Sequence, residues 1–390
     1  MAAPQHDAIV ASRRRADLAV ILLFVAVIAT PGLGLLFGLD RTTISEAEMR
    51  ELAAWPPWSW ALPAVAAWPD KFQHYFEDHF AFRSRLIHWQ TTFLWHVLRT
   101  SSSDTVIAGK DGWLFYADDG GIEDYLQTEP FTPEQLERWR LTLERARDWL
   151  DARGIRFLFV IAPDKQMIYP EHMPGSLHRM RDDYRADQLI GYMRGHSNID
   201  VLDLRPAIIG AKKGEILYHL YDTHWSDRGA LVGYQEIANR LHRWFPAIQP
   251  LTRADFDASP STPSGDKTTM LGLIDRGKMT MPGLVLRRGW SAVVVDPEKP
   301  DPYGEDGRVA TEIAGTNLPR AVMFRDSFAS RLIPYLSEHF SRILYQWQND
   351  FDIDLVQREH PDVVIQEVVG RHLYTFVPTP ELVPIGLSGT

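Results

Sequence analysis

Read from its amino end, the chain changes hydrophobic pattern several times. Arg13, Arg14 and Arg15 precede an apolar run, Leu18 to Gly38, that carries no charge. Such a run matches the ~20 residues needed to span a bilayer. Basic residues on its amino flank keep that flank in the cytoplasm and send the roughly 350 residues that follow to the far side. A cleaved signal peptide is the competing reading; the apolar core is long for one, and only "LFGLDRTT" follows it, with no A-x-A site. An uncleaved anchor is favoured. The stretch "WPPWSWALPAVAAWP" (55–69) then predicts a linker rather than a long helix, because proline removes ladder donors. Phe72, Tyr75, Phe76, His79 and Phe80 recur at three and four and predict an amphipathic helix. His79 on that stripe reads as a packed histidine, not a ligand.

From residue 101 the period shortens. "TVIAGKDGWLFYADD" reads as a hairpin around a Lys-Asp-Gly turn. A helix is predicted over 133–153, with Thr132 as N-cap, Pro133 at its first position, Gln135 completing a capping box and Gly154 as its stop. It leads into "IRFLFVIAP", a continuous apolar run of the kind buried on both faces of a sheet. Similar runs recur at 199–204, 320–324 and 362–369, with helix-patterned segments between them. This alternation predicts an α/β fold with a largely parallel central sheet flanked by helices, whose ligands sit at the carboxyl ends of strands. The Gly- and Pro-rich residues 250–319 read as an insertion with a few β segments of its own. The organisation expected is a cytoplasmic tail and anchor (1–40), a linker and helical lead-in (41–100), and a catalytic domain (101–390).

Composition narrows the function. A net charge of -10 with no Lys/Arg stripe argues against nucleic acid. With no cysteine, disulfides and thiolate metal sites are excluded. Thirteen tryptophans fit an aromatic-lined glycan surface, although core packing is the commoner use of any one ring. There is no HExxH, no Walker A loop and no nucleotide-binding glycine fingerprint; "GLGLLFG" lies inside the apolar span. No His/Asp/Glu set has metal-ligand spacing, and no cofactor is implied.

Two segments carry candidate chemistry. In "YDTHWSDRGA", Asp222 and His224 are two apart, so in an extended stretch both side chains share one side and the carboxylate can orient the imidazole as a general base. Ser226 is an N-cap for a helix over about 227–244. With no cysteine, the nucleophile is Ser, Thr or water. Ser327, in "RAVMFRDSF", falls between a buried strand and the apolar helix stripe Phe328, Leu332, Tyr335, Leu336 and Phe340. That position offers free backbone N–H groups for an oxyanion. The plainer alternative makes Ser327 or Asp326 an N-cap only.

Taken together, "DTHW" and "RDSF" resemble the SGNH-hydrolase-like domain of bacterial polysaccharide O-acetyltransferases of the alginate-acetylation type. "YFEDHFAFR" (75–83), "GKDGWLFY" (109–116) and "IAPDKQMIYPEHMP" (161–174) extend the resemblance over roughly 70–375. It implies Ser327 as nucleophile, His224 as base and Asp222 as the orienting carboxylate. Trp225 would pack the loop or line the sugar site, and Arg325 would stabilise developing charge or form a surface ion pair. Glu367 and Arg371 would sit at a strand end, as substrate contacts or as structural charges. The serine follows Arg-Asp rather than the usual Gly-Asp, so of the oxyanion donors only the Ser327 N–H is named.

The function implied is a membrane-anchored, periplasm-facing O-acetyltransferase of an exopolysaccharide, served by an integral-membrane acyltransferase in the inner membrane. An esterase with the same triad and a non-catalytic glycan-binding subunit are the alternatives. Removing the first 39 residues, with three arginines and two aspartates, leaves -11, an awkward field for a polyanion. A neutral glycan is therefore the expected acceptor unless Arg320, Arg325 or Arg331 builds a basic groove.

Overall fold

A computed structural model describes residues 3–38, 44–45, 50–94, 97, 100–261, 281–295 and 307–380. They fall in two compact units, one within the first 102 residues and one from Ser103 onward. In the first, α1 (Ala3–Leu36) contains Asp17–Leu36, 20 residues of mean hydropathy 2.5, long and apolar enough to cross a membrane. Two short strands, β1 (Ile44–Ser45) and β2 (Arg50–Glu51), pair antiparallel. Helix α2 (Leu62–His79) starts inside the segment expected to be a linker and is followed by α3 (Arg83–Phe93). Two effects permit the earlier start. Pro63 occupies the first turn, where an N–H has no partner anyway, and the rings around Pro69 pack well. Trp68 stacks on Phe72 at 5.1 Å, and Trp55 meets Tyr75 edge-on at 5.0 Å. His79 is structural: Nε2 is 2.8 Å from the Ala53 carbonyl and the ring stacks on Tyr75.

The second unit opens with the hairpin β3 (Val106–Ala108) and β4 (Leu114–Tyr116), followed by α4 (Gly121–Leu126). Helix α5 (Pro133–Asp151) has both halves of its capping box in place, worth about 1 kcal/mol, and Gly154 ends the segment at φ +71. Then come β5 (Arg156–Ala162), α6 (Lys165–Ile168), α7 (Arg185–His196), β6 (Val201–Asp203), α8 (Arg205–Ala211) and α9 (Asp227–His242). A separate pair, β7 (Phe256–Ser261) and β8 (Met281–Leu286), precedes β9 (Val293–Val294), β10 (Arg308–Glu312), β11 (Arg320–Arg325), β12 (Arg342–Trp347) and β13 (Val363–Val369).

Seven strands form one sheet in the order β6-β5-β13-β11-β12-β10-β9. The five from β6 to β12 are mutually parallel, and β10 closes that edge antiparallel. Within β5, Leu158, Val160 and Ala162 join the core layer that includes Leu231, Tyr234 and Ile237 of α9. Phe159 and Ile161 join the layer containing Trp139 and Leu143 of α5 and Leu189 of α7. Burial on both faces is why the strand reads as an unbroken apolar run.

Two expectations need correction here. The β7–β8 pair is a sheet of the insertion's own, but β9 and β10 extend the central sheet; residues 262–280 and 296–306 of the insertion lie outside the described residues. The continuous helix expected after Ser327 is a 3-10 turn, Phe328–Arg331, followed by a short helix, Ile333–Ser337. Pro334 has no N–H for an i to i-4 bond and its ring crowds the carbonyl of residue i-4, which favours a break at this point.

Candidate active site

The carboxyl edge of the sheet gathers the chemistry. Beyond β5 stand Asp164 and Lys165; beyond β11, Asp326 and Ser327; beyond β13, Arg371 and His372. The Asp222–His224 loop reaches this edge between Tyr218 and Trp225, which form an antiparallel bridge. The chain bends there rather than extending. The Asp222 carboxylate folds back, and its Oδ1 accepts the His224 backbone N–H at 3.0 Å, an Asx-type turn. The same oxygen is 2.8 Å from His224 Nδ1, and His224 Nε2 is 2.9 Å from Ser327 Oγ. Asp222 and His224 are thus paired as expected, but by a turn instead of by alternation.

Burial supplies the electrostatics. Asp222 is 2% exposed, whereas His224 and Ser327 are half-buried and reachable. Burial alone would raise the Asp222 carboxyl; the hydrogen bonds and charge of His224 instead hold it well below the usual carboxylate range. An ionised acceptor at Nδ1 fixes the tautomer with its proton there, leaving the Nε2 lone pair for the serine hydroxyl.

Three supports hold the loop. Lys165 donates Nζ–H bonds to the carbonyls of His219 (2.9 Å), Leu220 (3.2 Å) and Asp222 (2.7 Å), so the ammonium's three donors are used in a buried place. Trp225 is fully buried; its Nε1–H donates to the Phe328 carbonyl at 3.1 Å and its ring meets Phe328 edge-on at 5.3 Å. It ties the histidine loop to the serine turn and offers no face to a sugar. Gly229, in the first turn of α9, lies so close to Leu217 that a Cβ would meet the Leu217 carbonyl oxygen at 2.3 Å.

The serine turn is clamped by its neighbour. Asp326 Oδ1 accepts the Phe328 N–H (2.9 Å) and Oδ2 accepts the Val369 N–H (2.7 Å). Asp326, not Ser327, caps this turn: the Ser327 side chain makes no capping bond. Among the described residues the Ser327 N–H has no acceptor, which leaves it available as an oxyanion donor. Behind Asp326, His372 Nδ1 lies 3.2 Å from Oδ2 while its Nε2 is 2.8 Å from Asp119 Oδ2. Burial disfavours the charged imidazole, yet bonding to Asp119 and Asp326 carries its pKa up to about 10. Glu367 is also fully buried, and burial plus the nearby Asp326 charge push its carboxyl well above the usual range.

The remaining expected contacts are structural. Arg325 is fully buried, with Nη1 2.8 Å from Ser330 Oγ and its guanidinium over Trp347 at 4.4 Å, so it is no surface ion-pair partner. Arg371 is buried and binds Asp164 through its backbone N–H (2.8 Å) and Nη1 (2.7 Å). Arg320 pairs with Glu359 and Arg331 with Asp227, so these three arginines build no free basic groove here. Asp326 is one of the two N-cap candidates of the sequence, whereas no motif marks Lys165 and His372 as supports. The available signal was their position just past the ends of buried strands.

A mostly parallel α/β sheet with a serine, an imidazole and a carboxylate in line at its carboxyl edge fits the SGNH-hydrolase-like class. The chain belongs to the family described as "SGNH hydrolase-like domain, acetyltransferase AlgX", whose model matches residues 106–318; the match includes Asp222 and His224 and stops before Ser327. It is 29% identical over 179 residues to the "Probable alginate O-acetylase AlgJ" of Pseudomonas aeruginosa, spanning 44% of this chain and 41% of that protein. To the protein of the same name in Pseudomonas syringae pv. tomato it is 27% identical over 282 residues, 69% of each. Among solved structures, Bacillus cereus PatB1 with a sulfonyl adduct shares the fold at 15% identity and a TM-score of 0.50, over 68% of this chain and 96% of that one.

Proposed function

We propose that this protein is an O-acetyltransferase that carries acetyl as an ester on Ser327 and passes it to a hydroxyl of an exopolysaccharide. The observation that carries the reading is the line from Asp222 Oδ1 to His224 Nδ1 and from His224 Nε2 to Ser327 Oγ, at 2.8 and 2.9 Å. Membership of an acetyltransferase family and likeness to proteins named alginate O-acetylases support the group transferred and the class of acceptor.

In the first half-reaction His224 Nε2 takes the Ser327 proton as Oγ attacks the acetyl carbonyl of a donor. The oxyanion faces the Ser327 N–H, and the imidazolium then protonates the leaving group. In the second, His224 takes the proton of an acceptor hydroxyl, whose oxygen attacks the Ser327 ester; Oγ leaves and recovers its proton from His224. Asp222 stays ionised throughout and stabilises each imidazolium. The helix Asp17–Leu36 would anchor the chain in the inner membrane, with the catalytic unit in the periplasm and an integral-membrane acyltransferase as acetyl source.

Incubation with an activated acetyl ester, followed by intact-mass analysis, tests this. An acetyl adduct on the wild type but not on Ser327→Ala is expected, and its transfer to an added oligosaccharide completes the reaction. Equal labelling of both proteins rejects Ser327 as nucleophile. Acetyl released only as free acetate, with acceptor present, makes the protein an esterase.

A further inference from the structure

A second feature of the catalytic unit lies away from this machinery. A cleft of about 360 Å³ opens where α5 and α9 end and β5 and β6 begin, lined by Arg147, Arg156, Arg240, Arg243, Phe157 and Trp244 together with Asp151 and Asp200. Its volume falls in the range of small-molecule sites. The cleft is at the amino edge of the parallel strands, whereas Ser327 stands at the carboxyl edge. Strand β5 alone, running from Arg156 to Ala162, separates the two edges by about 20 Å at ~3.3 Å per residue.

Two of the four guanidinium groups are already neutralised. Arg147 Nε is 2.6 Å from Asp148 Oδ1 and 4.0 Å from Asp151 Oδ2, and Arg240 pairs with Asp200. Among the described residues Arg156 and Arg243 have no carboxylate partner, and both are exposed. The cleft therefore carries a local cationic excess on a chain whose net charge is -10. All of its cationic side chains are arginines, whose planar fork matches a carboxylate in two-point fashion. Half-buried Phe157 and Trp244 add an apolar wall. A bare inorganic anion would leave that wall unused; a sugar ring bearing a carboxylate would use both.

We propose that this cleft is a distal subsite for an acidic sugar unit, held by Arg156 and Arg243 against Trp244. Resting on the transferase reading, it would tether a long acidic glycan while successive hydroxyls visit Ser327, which raises the local acceptor concentration without any added contact at the catalytic edge. Its ligand chemistry thus differs from the neutral acceptor that net charge alone suggested.

The test is calorimetric titration of the full-length chain in detergent, with no acetyl donor, in three arms: a short oligouronate, a neutral oligosaccharide of equal length, and inorganic phosphate. The oligouronate should bind in a salt-dependent way, the neutral sugar should not, and phosphate should bind at least about tenfold more weakly. The double variant Arg156→Gln/Arg243→Gln, both exposed positions, should lose at least about tenfold in oligouronate affinity with an unchanged melting temperature. An unchanged Kd in that variant, equal binding of the neutral sugar, or phosphate binding as tight as the oligouronate would each overturn the proposal. Acetyl loading of Ser327 in the same proteins separates the two ideas: loading kept while binding is lost supports the cleft. Absence of loading in the wild type overturns the transferase reading and leaves the binding result to stand by itself.

Discussion

His372 links the stability of the serine turn to pH, and its contribution follows from its surroundings. The ring is buried between Asp326 Oδ2 (3.2 Å) and Asp119 Oδ2 (2.8 Å), and its pKa rises from 6.5 to about 10 on folding. A folded-state pKa above the unfolded one contributes stability that is fully present below about pH 6.5 and is lost as pH climbs through about 10. At 1.36 kcal/mol per pKa unit, the contribution is about 5 kcal/mol at pH 6, about 3 at pH 8, and under about 1 at pH 10. His372→Gln removes it while keeping a polar side chain of similar reach. Buried Glu367 titrates in the same cluster, so the informative quantity is the difference between wild-type and variant unfolding free energies. Urea unfolding of the soluble catalytic unit or of the full chain in detergent, followed at several pH values, should show that difference shrinking by about 4 kcal/mol from pH 6 to pH 10. A difference that stays constant over this range refutes the account of Asp326 as a carboxylate stabilised by an imidazolium. The corresponding functional expectation is that acetyl loading of Ser327 falls along the same alkaline limb, because Asp326 positions the Phe328 and Val369 N–H groups around the turn.

Other perturbations probe the same architecture. Asp222→Asn keeps the loop shape but loses the acceptor that fixes the His224 tautomer, and should lower the transfer rate by about 10³ to 10⁴; retention of a tenth of the wild-type rate would contradict the assignment. Trp225→Phe keeps most of the ring packing but loses the indole's hydrogen bond to the Phe328 carbonyl, at a cost of about 1 kcal/mol, read as a lowered melting temperature. Gly229→Ala would gain about 1 kcal/mol in an unhindered helix; here the added Cβ would meet a backbone oxygen at 2.3 Å, so net destabilisation and reduced acetyl loading are expected, and a stabilised variant would show the approach to be looser. On the acid side, burial lowers His219 and His339 to about 4. Their folded-state pKa values lie below the unfolded 6.5, so each contribution is present above that value and is lost as pH falls toward 4. His339→Gln should flatten the acid limb of the stability curve.

How much of this was legible depends on how local each cause is. The capping box of α5 spans four residues, and the double-sided burial of β5 is written in five consecutive ones, Leu158 to Ala162, so both could be read directly. Strand β12 begins and ends in half-buried residues, with Arg342 pairing to Glu312 and Glu359; its mixed run lacks the apolar signature although pairing with β11 makes it central. The Asp222–His224 pair was visible because its partners are two residues apart. What makes the pair usable was not. Lys165 reaches the loop across 57 positions to the Asp222 carbonyl, and His372 meets Asp119 across 253. An Asp-x-His in an unsupported surface bend would spend its time hydrogen-bonded to water, with the imidazole free to turn. Here the lysine binds three loop carbonyls and the Trp225 indole locks the loop to the residue after Ser327. The short motif therefore names the carboxylate and the imidazole, while the fold supplies the rigidity that holds the imidazole 2.9 Å from the Ser327 hydroxyl.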